Sequence, residues 1–112
     1  MQTTSVPGAL VWLDGSHALV ARSVPEGTLV TQVDRGLDAE SAYMLRIVRE
    51  ASDCDRLVVM GSDAARVAFE REYVSLYRRP DRLIDVGMEL EPEPRELADR
   101  LRFIARASQP SV

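Results

Sequence analysis

The stretch that most constrains this chain runs from residue 56 to residue 86. Leu57–Met60 is a short apolar run rich in β-branched residues, the pattern of a strand buried on both faces. Gly61, Ser62 and Asp63 break it. From Ala64 the apolar residues Ala64, Val67, Ala68, Tyr73, Val74, Leu76 and Tyr77 recur at helical spacing. Pro80 forbids the helix to continue, and Leu83–Val86 reads as a second strand. A strand, a helix and a strand in this order predict two parallel strands with a right-handed crossover.

What precedes this unit decides which α/β fold contains it. Ala9–Leu13 is an apolar run closed by Asp14-Gly15, a strong hairpin signal. His17–Ser23 is read as the returning strand, and Pro25-Glu26-Gly27 turns the chain into a third, Thr28–Asp34. Asp38 is read as the N-cap of a helix over Ala39–Ala51, with Ala42, Met44, Leu45, Ile47, Val48 and Ala51 as its apolar stripe. Pro92 and Pro94 open a last amphipathic helix, Glu93–Ala107, carried by Leu97, Leu101, Ile104 and Ala105.

The order β-β-β-α-β-α-β-α predicts a mixed five-stranded sheet, 3-2-1-4-5, of ribonuclease-H-like architecture. A flavodoxin-like sheet is the competitor, but it needs a helix after the first strand, where a tight hairpin stands. Residues 9–107 are read as one α/β domain, with a flexible lead over 1–8 and a tail over 108–112. At 112 residues the chain can bury roughly two-thirds of its unfolded surface without staples.

Composition narrows the function classes. Cys54 is the only cysteine, so an internal disulfide and a cysteine zinc cluster are excluded, and a reducing, cytoplasmic location is expected. No apolar run approaches the roughly 20 residues of a membrane span. All 14 basic residues are arginine, read as genomic codon bias rather than as selection for phosphate contacts. The net charge of −4, with Glu89, Glu91, Glu93 and Glu96 clustered, argues against a general nucleic-acid coat.

Two segments, LVWLDGSHALVARSV and the run from Arg56 to Ala105, resemble the middle domain of the archaeal and eukaryotic peptide-chain release factors. They are closer still to its bacterial relatives, among them small proteins labelled translational machinery or host-attachment proteins. The shared features are a first strand ending in Asp, an apolar strand closed by Gly, and a helix and strand before a final amphipathic helix. The resemblance implies a ribonuclease-H-like fold and a link to ribosomes, RNA or a translation-factor protein. The release factors use a Gly-Gly-Gln tripeptide to position water, and this chain has none: Gln32 stands within a strand, ahead of the turn at residues 34–37. Peptidyl-tRNA hydrolysis is therefore not expected, nor is a cofactor.

Three candidate sites follow. Asp14, Glu40 and Asp63 are the low-ranked catalytic set of a metal-dependent nuclease, in which carboxylates converge on metal ions; hairpin and helix-start roles explain Asp14 and Asp63 as well. Gly61, Ser62 and Arg66 form a strand-to-helix turn of the kind that binds anions; an ordinary helix start is the preferred reading. Arg78, Arg79 and Arg82 flank Pro80 behind Tyr73 and Tyr77, a basic turn for RNA or a protein partner, although cations also suit a helix C-terminus. No metal site is assigned. His17 is read as a surface strand residue, and Cys54 as part of a polar loop. The leading expectation is a non-catalytic binding domain; a nuclease and a homo-oligomeric structural protein, paired through a sheet edge, are the alternatives.

Overall fold

Strand β1 (Ala9–Leu13) is buried along its whole length because it has a strand on each side and helices on both faces. It pairs antiparallel with β2 (His17–Val24) and parallel with β4 (Leu57–Gly61). β3 (Gly27–Asp34) extends the meander antiparallel to β2, and β5 (Leu83–Gly87) adds to β4 in parallel, past a bulge at Val59 and Met60. The computed structural model describes residues 8–52 and 54–107, and its sheet order is β3-β2-β1-β4-β5, as expected. Helices α1 (Glu40–Ala51), α2 (Asp63–Tyr77) and α3 (Pro94–Ala107) complete the α/β architecture. Of the expected lead over residues 1–8, Gly8 is described and buried, while residues 1–7, the tail over 108–112 and the side chains of Ile104 and Ala105 lie outside the described residues.

Alternation along β1 divides the core in two. Ala9, Val11 and Leu13 face α1 and α2, together with Val59, Ile47, Phe69 and Tyr73. Leu10 and Trp12 point the other way, to Val58, Met60, Leu97 and Leu101 under α3. α1 packs over β1, β2 and β3 while α2 packs over β4 and β5. α3 packs over β1, β2 and β3 on the opposite face.

Several local expectations change. The sheet-facing side of α2 is Ala65, Phe69 and Tyr73, with Ala68 and Tyr77 beside them, and not the stripe through Val67 and Leu76. Val67 is 51% exposed and Leu76 46%. Two apolar sets interleave on this helix, and the bulkier aromatic rings take the core. In α1 the buried set includes Tyr43, while Ala42 is exposed. Ala39, not Asp38, is the N-cap of α1; the Asp38 carboxylate instead accepts Arg46 Nε at 3.0 Å. Cys54 is buried rather than set in a polar loop, with its Sγ 3.4 Å from the Arg56 carbonyl.

Candidate functional site

Asp14 follows β1, at the carboxyl end of a central strand, where α/β sheets bind ligands. Its Oδ1 is committed to the hairpin: it accepts the N–H of Ser16 at 2.8 Å, the Ser16 hydroxyl at 3.0 Å and the N–H of His17 at 3.0 Å. Partial burial opposes the charge, but the His17 and Ser16 donors outweigh it and hold the Asp14 carboxyl below its usual range. The Tyr43 hydroxyl donates to the Asp14 carbonyl at 2.9 Å and ties α1 to this turn. Asp14→Ala, by removing three hydrogen bonds, is expected to cost about 1 kcal/mol, and Asp14→Asn, which keeps an acceptor, clearly less. Urea titration of both variants checks this; equal losses would mean that charge, not the turn, matters.

Glu40 and Asp63 line one shallow depression with Arg71. Asp14 is not part of its wall. Asp63 is paired with Arg66 and largely exposed. Among the described residues no group of three His, Cys, Asp or Glu side chains is arranged to hold a metal ion.

Gly61 ends β4 with φ +127°, directly against Leu13 of β1. The Ser62 N–H donates to the Leu13 carbonyl at 3.0 Å, which continues the ladder into the turn. Ser62 is the N-cap of α2 by position, but its side chain makes no capping hydrogen bond. Arg66 spends its guanidinium internally. Its Nε donates to the Gly61 carbonyl at 3.1 Å, and its two terminal nitrogens meet Asp63 and Asp85. Its side chain is only 12% exposed. Burial opposes its charge, and the two carboxylates outweigh burial, raising its pKa further. An anion at this turn would have to displace both acids.

Sequence reasoning missed the fourth member of this cluster. Glu70, one turn along α2, faces Asp85 of β5. Burial first, and then the neighbouring Asp85, push the Glu70 carboxyl up to about 7 from 4.5, against the pull of Arg66. Glu70 Oε2 is buried with no hydrogen-bond partner, and the protonated Glu70 carboxyl hydrogen-bonds to Asp85. That hydrogen bond, with Arg66, keeps Asp85 below its usual range. Because the folded state holds the Glu70 proton more tightly than the unfolded chain, this contribution to stability is complete below about pH 4.5 and lost as pH rises through about 7. Glu70→Gln is therefore expected to raise the urea midpoint at pH 8 and not at pH 4.5. A gain equal at both pH values would sink the shared-proton account.

The arginine turn joins α2 to β5. Arg78 caps α2 in the left-handed region, φ 59°, with its N–H on the Val74 carbonyl at 2.8 Å. Pro80–Arg82 forms one 3-10 turn. Arg79 grips Asp81 through Nε at 3.2 Å and a terminal nitrogen at 3.0 Å. This bond holds the Asp81 carboxyl below its usual range. Tyr73 is fully buried and Tyr77 packs against the core, their rings 4.9 Å apart. The exposed surface of this turn is charged rather than aromatic: exposed Arg78 and Arg79, with Arg82 alongside. His17 is tied to the linker before α3 by Nε2–Glu91 at 3.0 Å and lies 5.3 Å from the Trp12 ring. No spacing in the sequence announces either contact.

No protein-family model matches the sequence, and no curated protein matches it. Solved structures do share its fold. The crystal structure of Pelota from Archaeoglobus fulgidus aligns with a TM-score of 0.60 at 12% identity, over 89% of this chain and 32% of that one. The Thermoplasma acidophilum Pelota protein aligns with a TM-score of 0.56 at 20% identity, over 83% and 31%. The chain spans about a third of the length of these Pelota chains. At such identities the likeness is one of fold. No helix among the described residues is long and apolar enough to cross a membrane.

Proposed function

We propose that this chain is a non-catalytic α/β binding domain of the release-factor middle-domain kind, which associates with a component of the translation apparatus. The observation that carries this reading is the agreement of its sheet and helices with archaeal Pelota over 89% of the chain, beside the resemblance of its segments to the release-factor middle domain. The segments that resemble the release-factor middle domain are the ones that build β1, β2, β4, α2, β5 and α3. The missing Gly-Gly-Gln supports binding without peptidyl-tRNA hydrolysis. A nuclease has less support, since the Asp14 carboxylate serves its own turn. The contact surface in this reading is the turn bearing Arg78, Arg79 and Arg82, which offers guanidinium groups to phosphates.

Sedimentation with ribosomes tests the proposal. The chain is expected to pellet with ribosomes at low salt and to be released as salt rises, because phosphate contacts return counterions. Arg78→Ala with Arg79→Ala should weaken pelleting and flatten the salt dependence by roughly one unit of logarithmic slope per lost contact. A chain that stays in the supernatant at low salt would remove the translation reading. Pelleting untouched by the substitutions would move the contact off this turn.

A further inference from the structure

The sheet has two edges, β3 and β5, and they are built differently. β5 carries devices that keep an edge from pairing: it is five residues long, a bulge interrupts its register, and the charge of Asp85 stands at its middle. β3 carries none of them. Its eight residues, GTLVTQVD, hold no proline and no charge before Asp34, and their register on β2 runs unbroken from Gly27 to Asp34. α1 packs against one face of β3 and α3 against the other. What β3 offers sideways is its own backbone.

The open backbone groups follow from the ladder. The Ser23 N–H donates to the Gly8 carbonyl at 3.5 Å and the Asp14 N–H to the His17 carbonyl at 3.0 Å, so the odd-numbered residues of β2 bond toward β1. Alternation turns Ala18, Val20 and Arg22 toward β3, where they meet Val33, Thr31 and Leu29. Thr28, Val30, Gln32 and Asp34 therefore aim their N–H and C=O groups away from the sheet. The Arg46 guanidinium meets the Asp34 carbonyl. Among the described residues no backbone group pairs with the others from outside. A row of alternating donors and acceptors is matched by an extended chain and not by a helix.

We propose that β3 pairs antiparallel with β3 of a second copy of this chain, about a two-fold axis at Thr31, so that the two sheets become one. In this register the strand complements itself. Thr31 stands opposite the partner's Thr31, Val30 opposite the partner's Gln32, Leu29 opposite the partner's Val33 and Thr28 opposite the partner's Asp34. No like charges meet, and Leu29, 42% exposed in the single chain, gains an apolar neighbour. Sliding the pair by two residues leaves Thr28 or Asp34 without a mate, and sliding it by one turns the faces over. An edge pair of this length buries less than a standard interface, so the dimer is weak, with a dissociation constant on the order of tens of micromolar. β3 and the arginine turn before β5 lie at opposite ends of the sheet, so this pairing holds or fails independently of the ribosome experiment.

Sedimentation velocity from about 1 μM to about 500 μM is expected to show the mass rising from monomer to dimer. Thiol crosslinking then reads the register. Across the axis the two Thr31 Cα atoms stand about 4.5 Å apart, within disulfide range. Leu29 and the partner's Leu29 are about 14 Å apart, outside it. Under oxidised glutathione Thr31→Cys should therefore give a covalent dimer and Leu29→Cys should not; the native Cys54 is buried and does not compete. Thr31→Lys and Thr31→Glu should each sediment as monomers, and their mixture should dimerise again. Arg46, Arg49 and Glu50 line the depression beside Thr31, so either charge has an opposite neighbour within its own chain, and circular dichroism checks that both variants fold. Monomer mass at every concentration would overturn the proposal and leave this edge to a strand of another protein. Equal crosslinking of the two cysteine variants, or a Lys–Glu mixture that stays monomeric, would overturn the register and the proposal with it. Dimerisation that shifts amide resonances on β5 and not on β3 would overturn it in favour of the other edge.

Discussion

Replacing Gly61 with alanine is expected to destabilise the fold by about 3–5 kcal/mol, among the largest effects a single methyl group can have. Two causes add. The backbone at Gly61 has φ +127°, a conformation that side chains strain by about 1–3 kcal/mol. A Cβ there would also overlap the carbonyl oxygen of Leu13 and stand 2.8 Å from its nitrogen and 2.9 Å from its carbonyl carbon. Those atoms belong to the central strand and cannot swing aside as a side-chain tip can. Relief would require β1 and β4 to part where the Ser62 N–H meets Leu13. In a chain of this size the loss corresponds to a fall of about 10–20 °C in Tm, read by circular dichroism. Gly15 is the control: nothing lies within 4 Å of a Cβ placed on it, and its φ is not positive. Gly15→Ala should change Tm by no more than a degree or two. Similar losses for the two variants would show that the close approach at Gly61 does not limit stability.

Phe69→Ala is expected to cost about 3–5 kcal/mol, the range for emptying a buried aromatic site. Phe69 is fully buried in the core beneath α1 and α2, with its ring 6.3 Å from that of Tyr73. The Tyr73 ring, in turn, rests on Tyr77, so the cavity opens beside a column of packed rings that cannot collapse freely. Urea unfolding should show a lower midpoint with an unchanged slope. The second phenylalanine, Phe103, is 70% exposed, and Phe103→Ala should shift stability by less than about 0.5 kcal/mol. If the two substitutions cost the same, the burial assigned to α2 is in error.

The contrast between these two phenylalanines marks where sequence reasoning stops. Period-two runs, the Asp14 hairpin and the break at Pro80 are signals within a few residues of one another, and they sufficed for the strands and for the order 3-2-1-4-5. The phase of α2 was not legible. Its polar and apolar residues are so mixed that Val67 and Phe69 both have helical partners, and only the sheet beneath selects between them. The candidate site suffered more. Arg66 reads as a free cation at a helix start, yet Asp85, which neutralises it, arrives from another strand. Glu70 carries no signal of its own in the sequence; only β5 sets Asp85 against it. Cys54 sits between polar neighbours in the chain but beneath apolar ones in the fold.

By itself, then, the sequence determined which segments extend, which coil and in what order they pair, because those outcomes depend on residues near in the chain and on the pattern that a buried strand or an amphipathic helix must carry. Tertiary structure alone decided which arginine is spent and which exposed, and which aromatic ring is core. Each of those depends on groups brought together from distant elements, where burial and charge pairing are set by the neighbour across the gap.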